Sequence, residues 1–348
     1  MDGKENVRIV TIYDIAKEAG VSTATVSRVL SGNTGVKKDK RDKVMSLVEK
    51  YHYKPNALAR GLVDTKSKVI GIITADIRNL FYSQMYVSCE MAAQKKGYTV
   101  LLCNSFGRLE QEERQLEKLL EQRVDAIILL GGSADGTRPD DRFLSKMGQI
   151  NRNIPIILAE KVEKLDCHVV RINAEKTMDI VLEYLMERKH RKIAFLGGRD
   201  NVISTVTKIR RYQEILERCG IPYDERLVGK NGTYDWDTGY SQMNELYSQN
   251  ILPTAVIAVN DFAALGVMRS ISEHGMRIPE DVSVVSYDNT YITELYVPRI
   301  TSIDYNYDLF GHKLVEAAVA AAEGREIPHL QSIEPRLVVR DSSGEARQ

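Results

Sequence analysis

The chain has 348 residues, 43% of them hydrophobic, with 48 Lys+Arg against 48 Asp+Glu. That is apolar content for a small module plus two ordinary domains, and no window of about 18 apolar residues exists to span a bilayer. The zero net charge hides an asymmetry: residues 1–68 hold 14 Lys+Arg and 8 Asp+Glu, the remainder 34 and 40, so a basic head on an acidic body confines the electrostatic footprint of a nucleic-acid binder to one end. The stretch from Met1 to Asn6 has no apolar signal core, and a cytoplasmic protein is expected. Cys89, Cys103, Cys167 and Cys219 have no paired spacing, and with six scattered histidines they make no metal template. The thiols are read as reduced, and neither metal nor cofactor is expected.

In chain order, Thr11 to Leu30 predicts two short helices joined by a tight turn. Thr11 caps the first, whose apolar positions are Ile12, Ile15, Ala16 and Ala19. Gly20 is its left-handed stop. Ser22 caps the second, and Val26, Val29 and Leu30 give it an inward stripe. Thr23, Ala24, Ser27 and Arg28 are left outside. Small and hydroxylic side chains at a helix start let it approach a phosphate backbone or base edge, which is helix-turn-helix chemistry. An ordinary helical corner in a globular domain would show the same pattern. After a polar turn, Lys38 to Tyr51 predicts a third helix with Val44, Leu47 and Val48 inward. Then comes Tyr53-Lys-Pro-Asn-Ala-Leu-Ala-Arg-Gly-Leu62, flanked by linker-like Lys54-Pro55 and Asp64-Thr-Lys-Ser-Lys68. Asn56 to Leu62 is too short for a stable isolated helix, and Gly61 weakens it further.

On Asp14-Ile-Ala-Lys, Gly-Val-Ser, Ala-Thr-Val-Ser-Arg28 and Tyr53-x-Pro-Asn-Ala-Leu-Ala-Arg-x-Leu62, the chain resembles the lactose-repressor/galactose-repressor family of bacterial transcription regulators, over about residues 10 to 343. The resemblance implies a helix-turn-helix domain at 9–55, and a hinge helix and linker at 56–67. An effector-binding region of two subdomains follows, 68–168 with about 301–326, and 169–298 with about 327–342. The chain would cross between them near 168–172, 297–302 and 326–330. The family's hinge folds only on DNA, as paired helices in the minor groove. Asn56 would then cap it, Ala59 would lie in the groove, and Leu62 would wedge apart the central base pairs. Lys37 departs from the family, which often has a capping serine or threonine there.

Among the head residues, Arg28 is the expected base reader, bidentate to guanine, with Thr23 and Ala24 beside it. Ser22, Thr25, Ser27, Asn33, Lys37 and Lys38, with Lys40, are read as backbone positioners. A solvated basic face is the bland alternative for the lysines.

From Lys68 the pattern becomes short apolar strands alternating with helices. Strands are predicted at 69–74, 99–103, 126–130, 154–158, 169–172, 192–196, 255–259 and 282–286. Helices are predicted at 81–96, 111–122, 174–189, 207–219, 237–249 and 261–274. Near-continuous apolar strands mean parallel sheets covered on both faces. The fold class is therefore α/β: an all-α helix-turn-helix domain plus two doubly wound parallel-sheet subdomains, like a periplasmic binding protein. Gly131-Gly132 and Gly197-Gly198 fail the nucleotide-loop spacings and read as tight turns. No catalytic constellation is present, so a dehydrogenase or sugar kinase is disfavoured and no enzyme is expected. A free solute-binding protein would share the body but not the basic head.

Ligands of such sheets bind beyond the carboxyl ends of the strands, and two facing domains make a hinged pocket. Carboxylates, amides and a cation beside aromatic rings suit a sugar or another polyhydroxylated ring. The resemblance places Asn79, Phe81, Glu160, Lys208, Tyr234, Asn260 and Asp288 at effector-contact positions. Asp261 also reads as the cap of its helix, Phe81 as core, and Trp236 competes with Tyr234. Where the family commonly has arginine, Lys208 loses the bidentate fork, and Arg211 replaces a glycine. The resulting expectation is a repressor that binds a palindromic double-stranded operator as a homodimer, without membrane contact and under a sugar-like effector. The polar tail, without leucine heptads, favours a dimer over a tetramer.

Overall fold

The computed structural model describes residues 10–30, 35–53 and 66–347. They divide into two compact units, residues 1–67 and 68–348. In the first, helices α1 (Ile12–Ala19), α2 (Thr23–Leu30) and α3 (Lys38–Lys50) form where their end signals stand. Thr11 and Asp14 make a reciprocal capping box. The Asp14 carboxylate accepts from the Thr11 N–H at 2.9 Å and its hydroxyl at 2.6 Å, and the Asp14 N–H donates back to Thr11 Oγ1 at 3.4 Å. Such a cap stabilises a helix by about 1 kcal/mol. Gly20 ends α1 at φ 69°, and the Thr25 N–H donates to Ser22 Oγ at 3.2 Å to start α2. Lys37 gives α3 no side-chain cap. Ile15, Ala16, Ala19, Val26, Val29, Val44 and Leu47 close the core. Leu30 and Val48, expected inside, are half-buried at its margin. Glu18 accepts from Lys50 Nζ at 2.8 Å and from the Tyr51 hydroxyl at 2.7 Å, which ties the end of α3 to α1.

The second unit carries two sheets. Its strands are β1 Val69–Thr74, β2 Thr99–Asn104, β3 Ala126–Leu130, β4 Ile156–Leu158, β5 His168–Ile172, β6 Ile193–Leu196, β7 Ala255–Ala258, β8 Ser283–Asp288, β9 Thr301–Asp304, β10 Leu330–Ile333 and β11 Arg336–Val338. The first sheet runs β10-β5-β4-β3-β1-β2 and is parallel throughout. The second runs β11-β9-β8-β7-β6, parallel except for β11, which is antiparallel to β9. Helices Leu80–Lys95 and Tyr307–Ala322 cover one face of the first sheet. Helices Leu109–Glu121 and Asp141–Asn151 cover the other. The second sheet lies between helices Ala174–Glu187 and Ile203–Arg218 and helices Trp236–Ser248 and Asp261–Glu273. Burial on both faces is why the strands read as unbroken apolar runs.

The crossings differ from those expected. β5 pairs with β4 and β10, so the chain leaves the first lobe after Ile172 rather than within 168–172. β9 pairs with β8, so it returns between Asp304 and Tyr307, later than 297–302. β10 still belongs to the first sheet, so the third crossing lies between Ile333 and Arg336, not at 326–330. The lobes are thus 68–172 with 307–333, and 173–304 with the chain from 336. The boundaries expected at 168/169, 298/301 and 326/327 fall short by one strand each.

Two glycines set the spacing of helices Trp236–Ser248 and Asp261–Glu273. A β-carbon on Gly266 would collide with the Trp236 carbonyl oxygen, and one on Gly239 with the Ala263 carbonyl. These are backbone atoms, which cannot swing aside. Gly266→Ala should therefore destabilise the body by about 3 kcal/mol. Urea denaturation followed by circular dichroism checks this, and an unchanged midpoint would show that the helices separate freely.

Candidate nucleic-acid interface and ligand cleft

On α2 the inward positions Val26 and Val29 are fixed in the core, and this dictates what the opposite face presents. Ala24 and Arg28, one turn apart, are exposed, with Ser22 also exposed and Thr23 and Ser27 half-buried beside them. Thr25 is half-buried and shares a 2.9 Å hydrogen bond with the Ser22 hydroxyl, so these two hydroxyls first serve the helix start. Lys37, Lys38 and Lys40 are all exposed at the start of α3. Tyr13, 74% exposed on α1, is a polar-tipped ring that no core claims, and the sequence reading passed over it. Asn33, Asn56, Ala59 and Leu62 lie outside the described residues.

In the body, the expected effector residues gather at the carboxyl ends of the strands. Asp288 ends β8 at φ 98°, a backbone region that side chains rarely enter. Lys208 projects from helix Ile203–Arg218 with Nζ 3.9 Å from the centre of the buried Tyr287 ring. Both Lys208 and Asp288 are buried. Burial pushes the lysine down to about 8 against the pull of Asp288 and Glu160. Burial, then Asp261, raises Asp288 well above the carboxylate range, with Lys208 opposing. Glu160, after β4 in the other lobe, is raised by burial as well. It accepts from the Lys161 N–H at 2.8 Å and from Arg171 Nη1 at 3.4 Å.

Apolar contacts are supplied by rings. Phe81 stands edge-on to Tyr82 at 5.1 Å and to Tyr305 at 6.1 Å, and is tilted against Tyr307 at 6.0 Å. It packs on the cores of both lobes. Asn79 accepts from the Phe81 N–H at 3.0 Å, capping helix Leu80–Lys95. Tyr234 shares a 2.9 Å hydrogen bond with Thr205.

Several residues serve the scaffold. Asn260 caps helix Asp261–Glu273 by accepting from the Ala263 N–H at 2.8 Å, and it donates to the Tyr234 carbonyl at 2.9 Å. Its amide thus positions Tyr234. The cap expected of Asp261 belongs to Asn260. Asp261 itself is buried and accepts from Ser286 (2.5 Å), the Thr290 N–H and hydroxyl (2.7 and 2.8 Å) and Ser302 (3.0 Å). Burial outweighs these donors and pushes it up to about 6. Trp236, 46% exposed, lies against Tyr240 and Arg269 rather than in the cleft. Arg211 is drawn off by Asp179 at 2.6 Å and Glu214 at 3.0 Å.

The structure adds residues that spacing did not reveal. Asp135, in the short turn after Gly131-Gly132, is pushed up to about 8 by burial and by Glu160 and Glu112. Tyr305 and Tyr307 join Phe81 and Tyr82, both in the stretch after the first strand that the sequence already marks, in an aromatic wall. The glycine pair was the available signal for Asp135. Among the described residues, no group of His, Cys, Asp or Glu has metal-holding geometry, and no helix is long and apolar enough to cross a membrane.

Residues 11–56 match the model of bacterial regulatory proteins of the lacI family, and residues 182–343 match a periplasmic binding protein-like domain. The chain is 32% identical to catabolite control protein A of Priestia megaterium over 84% of its length and 87% of that protein. It is 33% identical to the HTH-type transcriptional repressor PurR of Vibrio atlanticus, over 84% and 86%. A lac repressor dimer bound to operator and the anti-inducer ONPF superposes with a TM-score of 0.85 at 27% identity, covering 97% of this chain and all of that one. A CelR–cellobiose complex superposes with a TM-score of 0.70 at 26% identity, covering 96% and 99%.

Lys208 lowers two raised carboxyls, Asp288 and Glu160, the second alongside Arg171. A carboxyl whose folded pKa exceeds its unfolded one makes stability fall as pH rises from near 4 toward the folded value. Removing the ammonium raises Asp288 and Glu160 further and steepens that fall. Lys208→Met should therefore trail the parent by about 1–2 kcal/mol more at pH 8 than at pH 5. Urea midpoints at the two pH values measure it, and an equal loss at both would show that Lys208 is not the counter-charge.

Proposed function

The chain belongs to the lacI family of bacterial regulatory proteins, DNA-binding transcription regulators rather than enzymes, and from that premise we propose a transcriptional repressor that binds a near-palindromic operator as a homodimer under the control of a sugar-like effector. The observation that carries the DNA reading is the division of α2. Its valines are consumed by the head core, and Thr23, Ala24, Ser27 and Arg28 remain on the outer side. Arg28 reads a guanine, Thr23 and Ala24 lie against neighbouring bases, and Ser22, Thr25, Ser27, Asn33, Lys37 and Lys38 hold the phosphates. Asn56, Ala59 and Leu62 form the hinge in the minor groove, with Leu62 as the wedge. One short reading helix per protomer calls for two half-sites about one helical turn apart.

In the cleft, Phe81 and Tyr234 offer rings to the apolar face of a pyranose, while Asp288, Lys208, Glu160 and Asn79 address its hydroxyls. The charge of Lys208 is already answered by Asp288 and Glu160, which favours a hydroxylated effector over an anionic corepressor. The CelR–cellobiose complex supports that ligand class for this fold.

Two outcomes follow. Arg28→Ala should lose about 1–3 kcal/mol on operator DNA while binding to random DNA changes much less. Fluorescence anisotropy on both duplexes reads this, and equal losses would remove Arg28 as the base reader. In the cleft, the positive φ of Asp288 favours asparagine over alanine as its replacement. Asp288→Asn should keep ligand-free operator affinity within about twofold and lose the response to a panel of mono- and disaccharides that includes cellobiose. A tenfold response corresponds to about 1.4 kcal/mol of coupling. If the variant responds like the parent, the pocket lies elsewhere.

A further inference from the structure

The loops that follow β2, β3 and β6 meet at one edge of the cleft, and each brings an arginine. Arg199 comes directly after Gly197-Gly198, and its Nη1 would stand 3.5 Å from a β-carbon on Gly107, which belongs to the other lobe. A β-carbon on Gly198 would stand 2.8 Å from Thr205 Cγ2, and Thr205 shares a 2.9 Å hydrogen bond with Tyr234. Arg199 thus starts beside a ring of the proposed pocket and reaches the opposite lobe. Its charge is felt by the phenols of Tyr82 and Tyr234, one on each lobe. Arg108 follows Gly107 in the chain. Arg138 follows Thr137, whose N–H donates to the Asn201 carbonyl at 2.9 Å. All three arginines are exposed.

Their pairing differs from that of the other cations. Lys208 stands by Asp288 and Glu160, Arg171 lies 3.4 Å from Glu160, and Arg78 lies 2.6 Å from Asp76. Among the described residues, Arg199, Arg108 and Arg138 have no ion pair and no side-chain hydrogen bond. The neighbouring acids are engaged otherwise. Asp200 accepts from the Asn231 N–H at 3.0 Å, and Asp235 from the Thr233 hydroxyl at 3.3 Å. Asp140 accepts from the Arg142 and Phe143 N–H groups at 2.9 Å, and Glu112 from the Ser133 N–H at 2.8 Å. Burial, then Glu160 and Glu112, pushes Asp135 up to about 8, so at neutral pH it mostly keeps its proton. Guanidinium groups gathered at the mouth of a low-dielectric cleft repel one another and draw an anion. A phosphate suits them: its oxygens take paired N–H donors from a planar fork, and its double charge answers more than one arginine.

We propose that the effector is a phosphorylated sugar, with its ring in the cleft and its phosphate at the β2–β3–β6 edge, held by Arg199 with Arg108 and Arg138 beside it. This rests on the sugar-like reading of the cleft. Lys208 stays with its carboxylates and meets hydroxyls, while the anion lies on cations that have no partner of their own.

The test uses the full-length protein and matched probes: glucose, fructose and galactose, their monophosphates, the uronates of glucose and galactose, and inorganic phosphate. Calorimetric titration at neutral pH should find at least one sugar phosphate binding about tenfold tighter than its neutral parent, the uronates and inorganic phosphate. Arg199→Gln should bring that sugar phosphate to within about threefold of its parent sugar and leave the parent's own affinity within about threefold. Arg199→Lys, which keeps the charge and loses the fork, should fall between. Arg138→Gln should weaken the preference in part. An undiminished preference in Arg199→Gln and Arg138→Gln would place the anion on the basic head and overturn the proposal. Neutral sugars, uronates or inorganic phosphate binding as tightly as the sugar phosphates would overturn it too, and leave the sugar reading standing wherever a sugar binds. A protein that takes no probe of any series would overturn both.

Discussion

The cleft depends on charge that has been taken out of water. Lys208 and Asp288 are both buried at the end of β8, and neither is tolerable alone. The lysine rests on the Tyr287 ring, a face that attracts a cation when solvent is scarce. It is also pulled by Glu160, which stands on the opposite lobe. The protonation of three side chains is therefore a function of how the two lobes meet. On the proposed function, a ligand entering here would exchange partners among charges already in place.

Below the cleft, Asp261 shows how the geometry is held. Four donors from β8, β9 and the loop between them converge on its carboxylate. They fix the end of β8, where Asp288 adopts its positive φ. Asn260, one residue earlier, caps the helix and carries Tyr234. The adjacent pair thus divides two tasks that sequence alone merges, because an amide and a carboxylate at a helix start look equally like caps.

The head was legible almost residue by residue. Thr11, Gly20 and Ser22 act through local chemistry, and local chemistry is written in local sequence. The strands from β1 to β8 were legible too, as apolar runs. Their assignment to lobes was not, since strands buried on both faces look alike in either sheet. β9, β10 and β11 escaped because Thr301-Ser-Ile-Asp304, Leu330-Gln-Ser-Ile333 and Arg336-Leu-Val338 are short and mixed in polarity. Helix Tyr307–Ala322, nearly all buried on its alanine side, was not read either. In the cleft, residues at strand ends were legible from topology. Asp135 was not, because Ser133-Ala-Asp-Gly136 reads as an ordinary turn until Glu112 is found beneath it. Trp236 shows the converse: a conspicuous residue near a loop, turned outward by the helix that carries it.

The lobes are also joined by direct contacts. The Thr137 N–H donates to the Asn201 carbonyl at 2.9 Å, and Gly136 and Val202 form a β-bridge across the gap. Phe81 packs on both cores, and three crossings thread between them. Motion that preserves the crossings and the Phe81 packing is a hinge about the crossings, with the Gly136–Val202 rim as the part that opens. On the proposed function, an effector would add one more tie and would shift operator binding only by the difference in its affinity for the open and closed bodies. A tenfold shift needs about 1.4 kcal/mol, which is on the scale of one charge-assisted hydrogen bond. On the proposed function, one contact formed in a single lobe arrangement would be enough to throw the switch, and the interaction best placed to differ is that of Lys208 with Glu160 on the opposite lobe.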